Sequence, residues 1–217
     1  MTSVVFGKFL LQLLRGMGVT LEIFFLTLIF SVPLGILVTM GRLSKSKLLS
    51  SIIKIYITIM RGTPLILQLY FFYFVPCLML NLRIDKMVAI VFAMALNYAA
   101  YFAEIFRGGY EGIPQGLKEA GKVLGFTKKQ VFFLISLPLV AKRVLPSFAG
   151  EVITLVKDTA LVSALGVLEM YKVAQNVTNR MVSPLPLVIA GVFYFIFNAV
   201  VSKTFSTIEK KLNYYNF

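Results

Sequence analysis

From Met17 to Met40 the chain runs 24 residues with a single charged side chain, Glu22. A helix of about 20 apolar residues is long enough to cross the hydrocarbon of a bilayer. Apolar stretches of similar or greater length recur at about Leu48–Leu80, Lys86–Phe106, Val131–Val156 and Leu187–Ser206. Charged residues make up only 14% of the chain and hydrophobic ones 59%, whereas a soluble domain carries about 25% charged residues. The expected fold is therefore an all-α integral membrane protein with five transmembrane helices.

The same composition excludes several chemistries. There is no His and one Cys, Cys77. An internal disulfide, a His/Cys zinc site and any Ser-His or Cys-His pair are thereby impossible. Asp85 and Asp158 both lie near span ends, so an aspartyl pair for intramembrane hydrolysis is not apparent. No metal site is expected.

The net charge of +13 falls between the apolar stretches, which makes it an orientation signal and not a nucleic-acid footprint. With the N-terminus outside, 13 of the 22 Lys and Arg lie in inner segments and seven in outer ones, Lys54 and Arg61 being left within the second stretch. The positive-inside rule thus favours N-terminus outside and C-terminus in the cytoplasm.

Residues 1–16 alternate Phe6, Phe9, Leu10, Leu13 and Leu14 with Lys8, Gln12 and Arg15, the pattern of an amphipathic helix lying in the interface. They lack a small-residue cleavage site and are not expected to be a signal peptide. Residues 17–212 are expected to form a single transmembrane domain, and 213–217 a cytoplasmic tail. The stretch 48–80 is too long for one straight span and is expected to kink at Arg61-Gly62-Thr63-Pro64. Residues 157–186 are amphipathic and predict a short re-entrant or interfacial helix.

The segment 107–130 is polar and Gly-rich and cannot span. Gly116-x4-Gly121-Lys122 is a near match to a phosphate loop, but Val123 stands where Ser or Thr would hold magnesium, and no strand precedes it. ATP binding here is rejected. Pro114 suits a first helical turn, Gly125 a helix stop, and Thr127-x-x-Gln130 a capping box. The loop thus predicts a short, separately capped helix, either a solvated linker or a docking helix for a soluble partner.

Glu119-Ala120-Gly121, then Gly125, then Ile135-Ser136-Leu137-Pro138 resembles the EAA signature of ABC-importer permeases of the type I fold. Arg61-Gly-Thr-Pro-Leu-Ile-Leu-Gln68, Asn97–Gly109, Leu155–Ser163 and Ala174-Gln175 resemble the branch that takes up polar amino acids such as histidine, glutamine, glutamate, arginine and cystine. The resemblance runs from about Gly18 to Leu212. Gly121 replaces the second Ala of the signature, Leu117 a common Gln, and Ala160 a usual Ser. It implies alternating access in the cell membrane of a prokaryote, driven by two copies of a separate ATPase subunit that bind ATP and magnesium. A second permease subunit, identical or paralogous, and an extracytoplasmic amino acid-binding protein complete the assembly, with the lipid bilayer around it and no nucleic acid. The chain itself would be no enzyme. Glu119, Ala120, Gly121 and Gly125 would couple it to the ATPase. On propensity alone, Gly121 should loosen that helix by about 1 kcal/mol relative to Ala.

An ionisable group within a span points to function. Glu151, in the apolar run Phe148–Leu155, would attract an ammonium or guanidinium, or pair with Lys157, Arg61 or another span. Asn97 and Tyr98, near the middle of the third span, and Gln68, one turn past the kink, are further candidate ligand contacts. For Asn97 an interhelical hydrogen bond is the alternative. Arg61, Thr63 and Pro64 mark a candidate gate or path, and Lys157 and Asp158 a candidate outer contact. Ala95, Ala99 and Ala103 form a small-residue stripe expected to pack against another helix. A passive channel or an ion-coupled carrier could use Asn97 and Glu151 as well, but would not need the capped inner helix.

Overall fold

The computed structural model describes residues 3–212. Its main elements are helices α1 (Ser3–Arg42), α2 (Lys47–Gly62), α3 (Leu65–Leu80), α4 (Lys86–Glu111) and α5 (Gln115–Val123). They are followed by α6 (Lys128–Gln130), a π-helical stretch (Val131–Ser136), α7 (Leu137–Asp158), a 3-10 segment (Thr159–Leu165), α8 (Met170–Met181) and α9 (Leu185–Leu212). The expected tail, 213–217, lies outside the described residues.

Four helical runs are long and apolar enough to cross a membrane, and the bent pair α2–α3 makes up to five. Their directions agree with that total. Leu34 of α1 lines one groove with Ala95 of α4, and further along Thr39 Oγ1 donates to the Ala103 carbonyl at 3.1 Å. The two helices therefore run parallel, and α2–α3 has to carry the chain back between them. α7 returns antiparallel to α4, its Phe148 against Phe102 and Phe106 and its Asp158 against Tyr98. α9 then runs back along α7, with Phe205 on Phe148.

The seam between α1 and α4 is built from small side chains. Thr27, Ser31, Gly35 and Thr39 recur every four residues on α1 and are buried, facing the equally buried Ala95, Ala99 and Ala103. A Cβ on Gly35 would stand 2.9 Å from the Phe102 Cβ and 3.3 Å from the Ala99 carbonyl oxygen. The alanine stripe expected from sequence is thus one half of a close backbone contact, the kind that binds helices where water supplies no driving force.

One expectation is refined. Residues 3–16 are the start of α1, which is continuous through Met17, and not a separate helix. The apolar side of that segment, Phe9 and Leu13, is buried against Met170, Ala174, Val177 and Ala190 of α8 and α9. Part of its apolar pattern thus records a protein contact, while Phe6 and Leu14 of the same pattern stay exposed. Gly16 permits the approach: a Cβ there would lie 3.0 Å from the backbone of Glu169 and Met170.

Candidate functional site

Proline chemistry builds the site. Pro64 has no N–H, so the Met60 carbonyl one turn earlier loses its helical partner. At membrane depth such a group has to be satisfied from elsewhere in the protein. Asn97 Nδ2 and Gln68 Nε2 each donate to that carbonyl at 2.9 Å. Gln68 Nε2 also lies 2.7 Å from Thr63 Oγ1 and 3.2 Å from the Thr63 carbonyl. Asn97 Nδ2 reaches Gln68 Oε1 at 2.9 Å. The kink expected at residues 61–64 is therefore a 110° bend closed by two buried amides.

Above this closed break lies a cavity of about 360 Å³. Thr63, Pro64, Asn97 and Tyr98 line one side, while Glu151, Thr154 and Asp158 of α7 line the other, with Tyr101 between them. Glu151 and Asp158 are two helical turns apart, so both carboxylates share one face of α7. The Tyr98 hydroxyl donates to Asp158 Oδ2 at 2.8 Å. No cation lines this cavity, so two half-buried carboxylates face it with spare acceptor capacity. The arrangement suits an ammonium or guanidinium ligand.

Among the remaining sequence candidates, Arg61 does not line this cavity. Its guanidinium stacks on the Tyr101 ring at 5.2 Å and approaches Glu104 at 3.7 Å. Lys157 is exposed and does not line the cavity, and Gln68 lies beneath it. Asp158 lines the cavity together with Glu151. Tyr101 and Thr154 were missed, although each follows a candidate by three residues on its helix, a signal that was available.

The loop helix α5 forms as its punctuation requires. Gly125 sits at φ 79°, with Phe126 N–H donating to the Gly121 carbonyl and Gly125 N–H to that of Lys122, each at 3.0 Å. This is a Schellman stop. Thr127 and Gln130 complete the capping box. Because Gly116–Lys122 lies wholly within α5, its backbone N–H groups do not curl into a phosphate cradle, and the chain offers ATP no fitting site there. Gly121 is buried. A Cβ on it would meet Ile135 Cδ1 at 2.7 Å and Val131 Cγ2 at 3.1 Å, so the small residue seats α5 on the π-helical stretch. The opposite face presents Glu119 and Ala120 to solvent beside Val123 and Leu124, which are 87% and 72% exposed. Gly121 thus supports the loop from inside, and the exposed apolar pair joins the outward surface.

One buried carboxylate escaped the sequence reading altogether. Glu169 is fully buried. It caps α8 by accepting from the N–H groups of Tyr171 and Lys172 at 2.7 and 2.6 Å, and accepts from the Tyr194 hydroxyl of α9 at 3.0 Å. All these partners belong to the protein, so its role is to join α8 to α9.

Residues 31–214 match the model of the family described as binding-protein-dependent transport system inner membrane component. The chain belongs to that family. It is 33% identical to an arginine transport system permease protein of Bacillus subtilis, over 92% of both chains. It is equally 33% identical to the histidine/lysine/arginine/ornithine transport system permease protein of Escherichia coli, again over 92% of both. Among solved structures, one of an amino acid ABC transporter with histidines aligns with a TM-score of 0.88 at 28% identity, covering 97% of this chain and 99% of that one. An inward-facing methionine ABC transporter aligns with a TM-score of 0.78 at 20% identity, over 98% and 99%, and shares the fold. Family membership sets aside the channel and ion-coupled carrier alternatives, since the family works with a binding protein.

Proposed function

We propose that this chain is the membrane-spanning subunit of an ATP-driven importer of polar amino acids in a prokaryotic cell membrane. The pairing of Glu151 with Asp158 at a helix break carries the substrate reading. Every amino acid offers an ammonium, and two carboxylates without a lining cation are the complement to it. Thr63 and Tyr101 supply neutral polar contacts for the remainder of the substrate.

The N-terminus lies outside and the coupling loop in the cytoplasm, as the basic residues favour. Two ATPase subunits bind ATP and magnesium and hydrolyse the nucleotide; this chain contributes no catalytic group. The outward face of α5, Glu119, Ala120, Val123 and Leu124, docks into an ATPase, with Gly125 setting the loop's exit. A second permease subunit completes the cavity, and an external binding protein delivers the amino acid. ATP favours the outward-open state because the closed ATPase pair binds it better, and hydrolysis returns the spans inward.

The test uses the assembled complex in proteoliposomes with its binding protein and labelled arginine, histidine, glutamine, glutamate and cystine. At least one should accumulate with ATP, and Glu151→Gln should weaken accumulation of cationic substrates most. Val123→Asp should leave the complex folded but remove the stimulation of ATP hydrolysis by loaded binding protein. Normal import by both variants would overturn the assigned pocket and docking face.

A further inference from the structure

A second polar cavity, of about 230 Å³, lies nearer the coupling-loop end of the same helices. Arg42 at the end of α1, Lys54 and Arg61 of α2, and Glu104 and Arg107 of α4 line it. Its charge is opposite to that of the acidic cavity. Glu104 is engaged by Arg107 through Nε at 3.0 Å and Nη2 at 2.6 Å, with Arg61 at 3.7 Å. Arg107 also pairs with Glu111. Arg42 donates one guanidinium N–H to Ser50. Among the described residues, neither Arg42 nor Lys54 has a carboxylate within ion-pair distance. Four cations thus surround one carboxylate that is already occupied, and the surplus positive field draws an oxyanion into the space between them.

The two cavities meet at one side chain. Tyr101 lines the acidic cavity, and its ring carries the guanidinium of Arg61, which lines the basic one. From Tyr98 to Arg107 the rise along α4 is about 13 Å at 1.5 Å per residue. That exceeds the separation of the ammonium and carboxylate of one amino acid, so the cavities act in succession.

We propose that the Arg42–Lys54–Arg61–Arg107 cavity is a second binding station, taking the carboxylate of the amino acid as its ammonium leaves Glu151 and Asp158. This rests on the amino acid reading above and adds to it a release site of opposite sign. A lipid phosphate shares the oxyanion chemistry, and the test separates the two sources.

Lys54 is the residue to change, because it is exposed and makes no ion pair whose loss would unfold the chain. Import of the labelled panel by the assembled complex is measured in vesicles of phosphatidylcholine alone and in vesicles containing phosphatidylglycerol. Lys54→Gln should lower the maximal import rate about three- to fivefold, the worth of one exposed charged contact. It should do so in both lipids, with unchanged half-saturation on the binding-protein side, and Lys54→Arg should restore the rate. Wild-type rates for Lys54→Gln in both lipids overturn the proposal. A loss confined to phosphatidylglycerol vesicles assigns the cavity to a lipid headgroup and also overturns it. If the wild-type complex imports none of the panel, the amino acid reading itself fails and this station falls with it.

Discussion

Two polar clusters sit side by side in the membrane-spanning part of the molecule and differ in one respect. In the amide cluster, Asn97 and Gln68 direct their amide donors at carbonyl, hydroxyl and amide oxygens of the protein itself. In the carboxylate cluster, Glu151 and Asp158 receive a single hydrogen bond among the described residues, from Tyr98. Both clusters line or underlie one cavity, and both break the apolar pattern of their helices. The amide cluster is closed and holds the break together, while the carboxylate cluster keeps spare acceptor capacity. Residue type in a span is therefore a poor guide to role, and the degree of hydrogen-bond saturation is a better one.

The largest expected effect comes from opening the closed cluster. Either Asn97→Ala or Gln68→Ala leaves the Met60 carbonyl with one donor, at a cost of about 1–2 kcal/mol. The double variant leaves it with none, which at this depth costs several kcal/mol. The loss should therefore exceed the sum of the single losses. Thermal melting of the purified complex measures the cycle, and simple additivity would break the claim that the amides share one task.

Neutralising the open cluster should do the reverse. Glu151→Gln with Asp158→Asn removes charge-assisted contacts worth about 1.5–3 kcal/mol each, or more than tenfold in substrate affinity. The melting temperature should hold, since neither carboxylate forms an ion pair among the described residues. A large fall in stability with intact transport would exchange the roles of the two clusters.

Glu169 sharpens the comparison as a carboxylate that is saturated. Glu169→Ala should cost about 1–2 kcal/mol through loss of the α8 cap. Half-saturation for substrate should be unchanged in the material that folds, as binding assays on the purified complex would reveal. The smallest effect belongs to Gly121→Ala. Its gain in helix propensity is about 1 kcal/mol, and it is offset by the displacement of Ile135 and Val131. A net stability change within about 1 kcal/mol is expected from the same melting assay. A clear stabilisation would show that the seat beneath α5 is loose.

Much of this was legible in the sequence, and the gaps have physical causes. The broken span was readable because Gly62 and Pro64 fall together in a stretch too long for one span, whereas Pro33 by itself sits inside α1. Gly125 and the Thr127–Gln130 box likewise act within their own few residues, so the boundaries of α5 were visible. The protein contact of Phe9 and Leu13 was hidden because α8 and a membrane surface both ask for one apolar face. Asn97 allowed two readings because an amide serves a ligand or a carbonyl equally well. Only the position of Met60 shows which partner is present. Glu169 was invisible because a carboxylate at a helix start is ordinary, and the Tyr194 that closes over it lies 25 residues away.

The small-residue seam also has a mechanical consequence. With Gly35 nearly touching the backbone of α4 and Thr39 tied to it, α1 and α4 mesh like two gears with shallow teeth. Sliding one past the other would drive Phe102 into the Gly35 notch, so the pair turns as a single strut. Asn97, Tyr98 and Tyr101 are mounted on that strut, whereas Glu151 and Asp158 are mounted on α7. If α5 couples the chain to an ATPase as proposed, a push through it would change the gap between two rigid supports and leave each half of the proposed site undistorted.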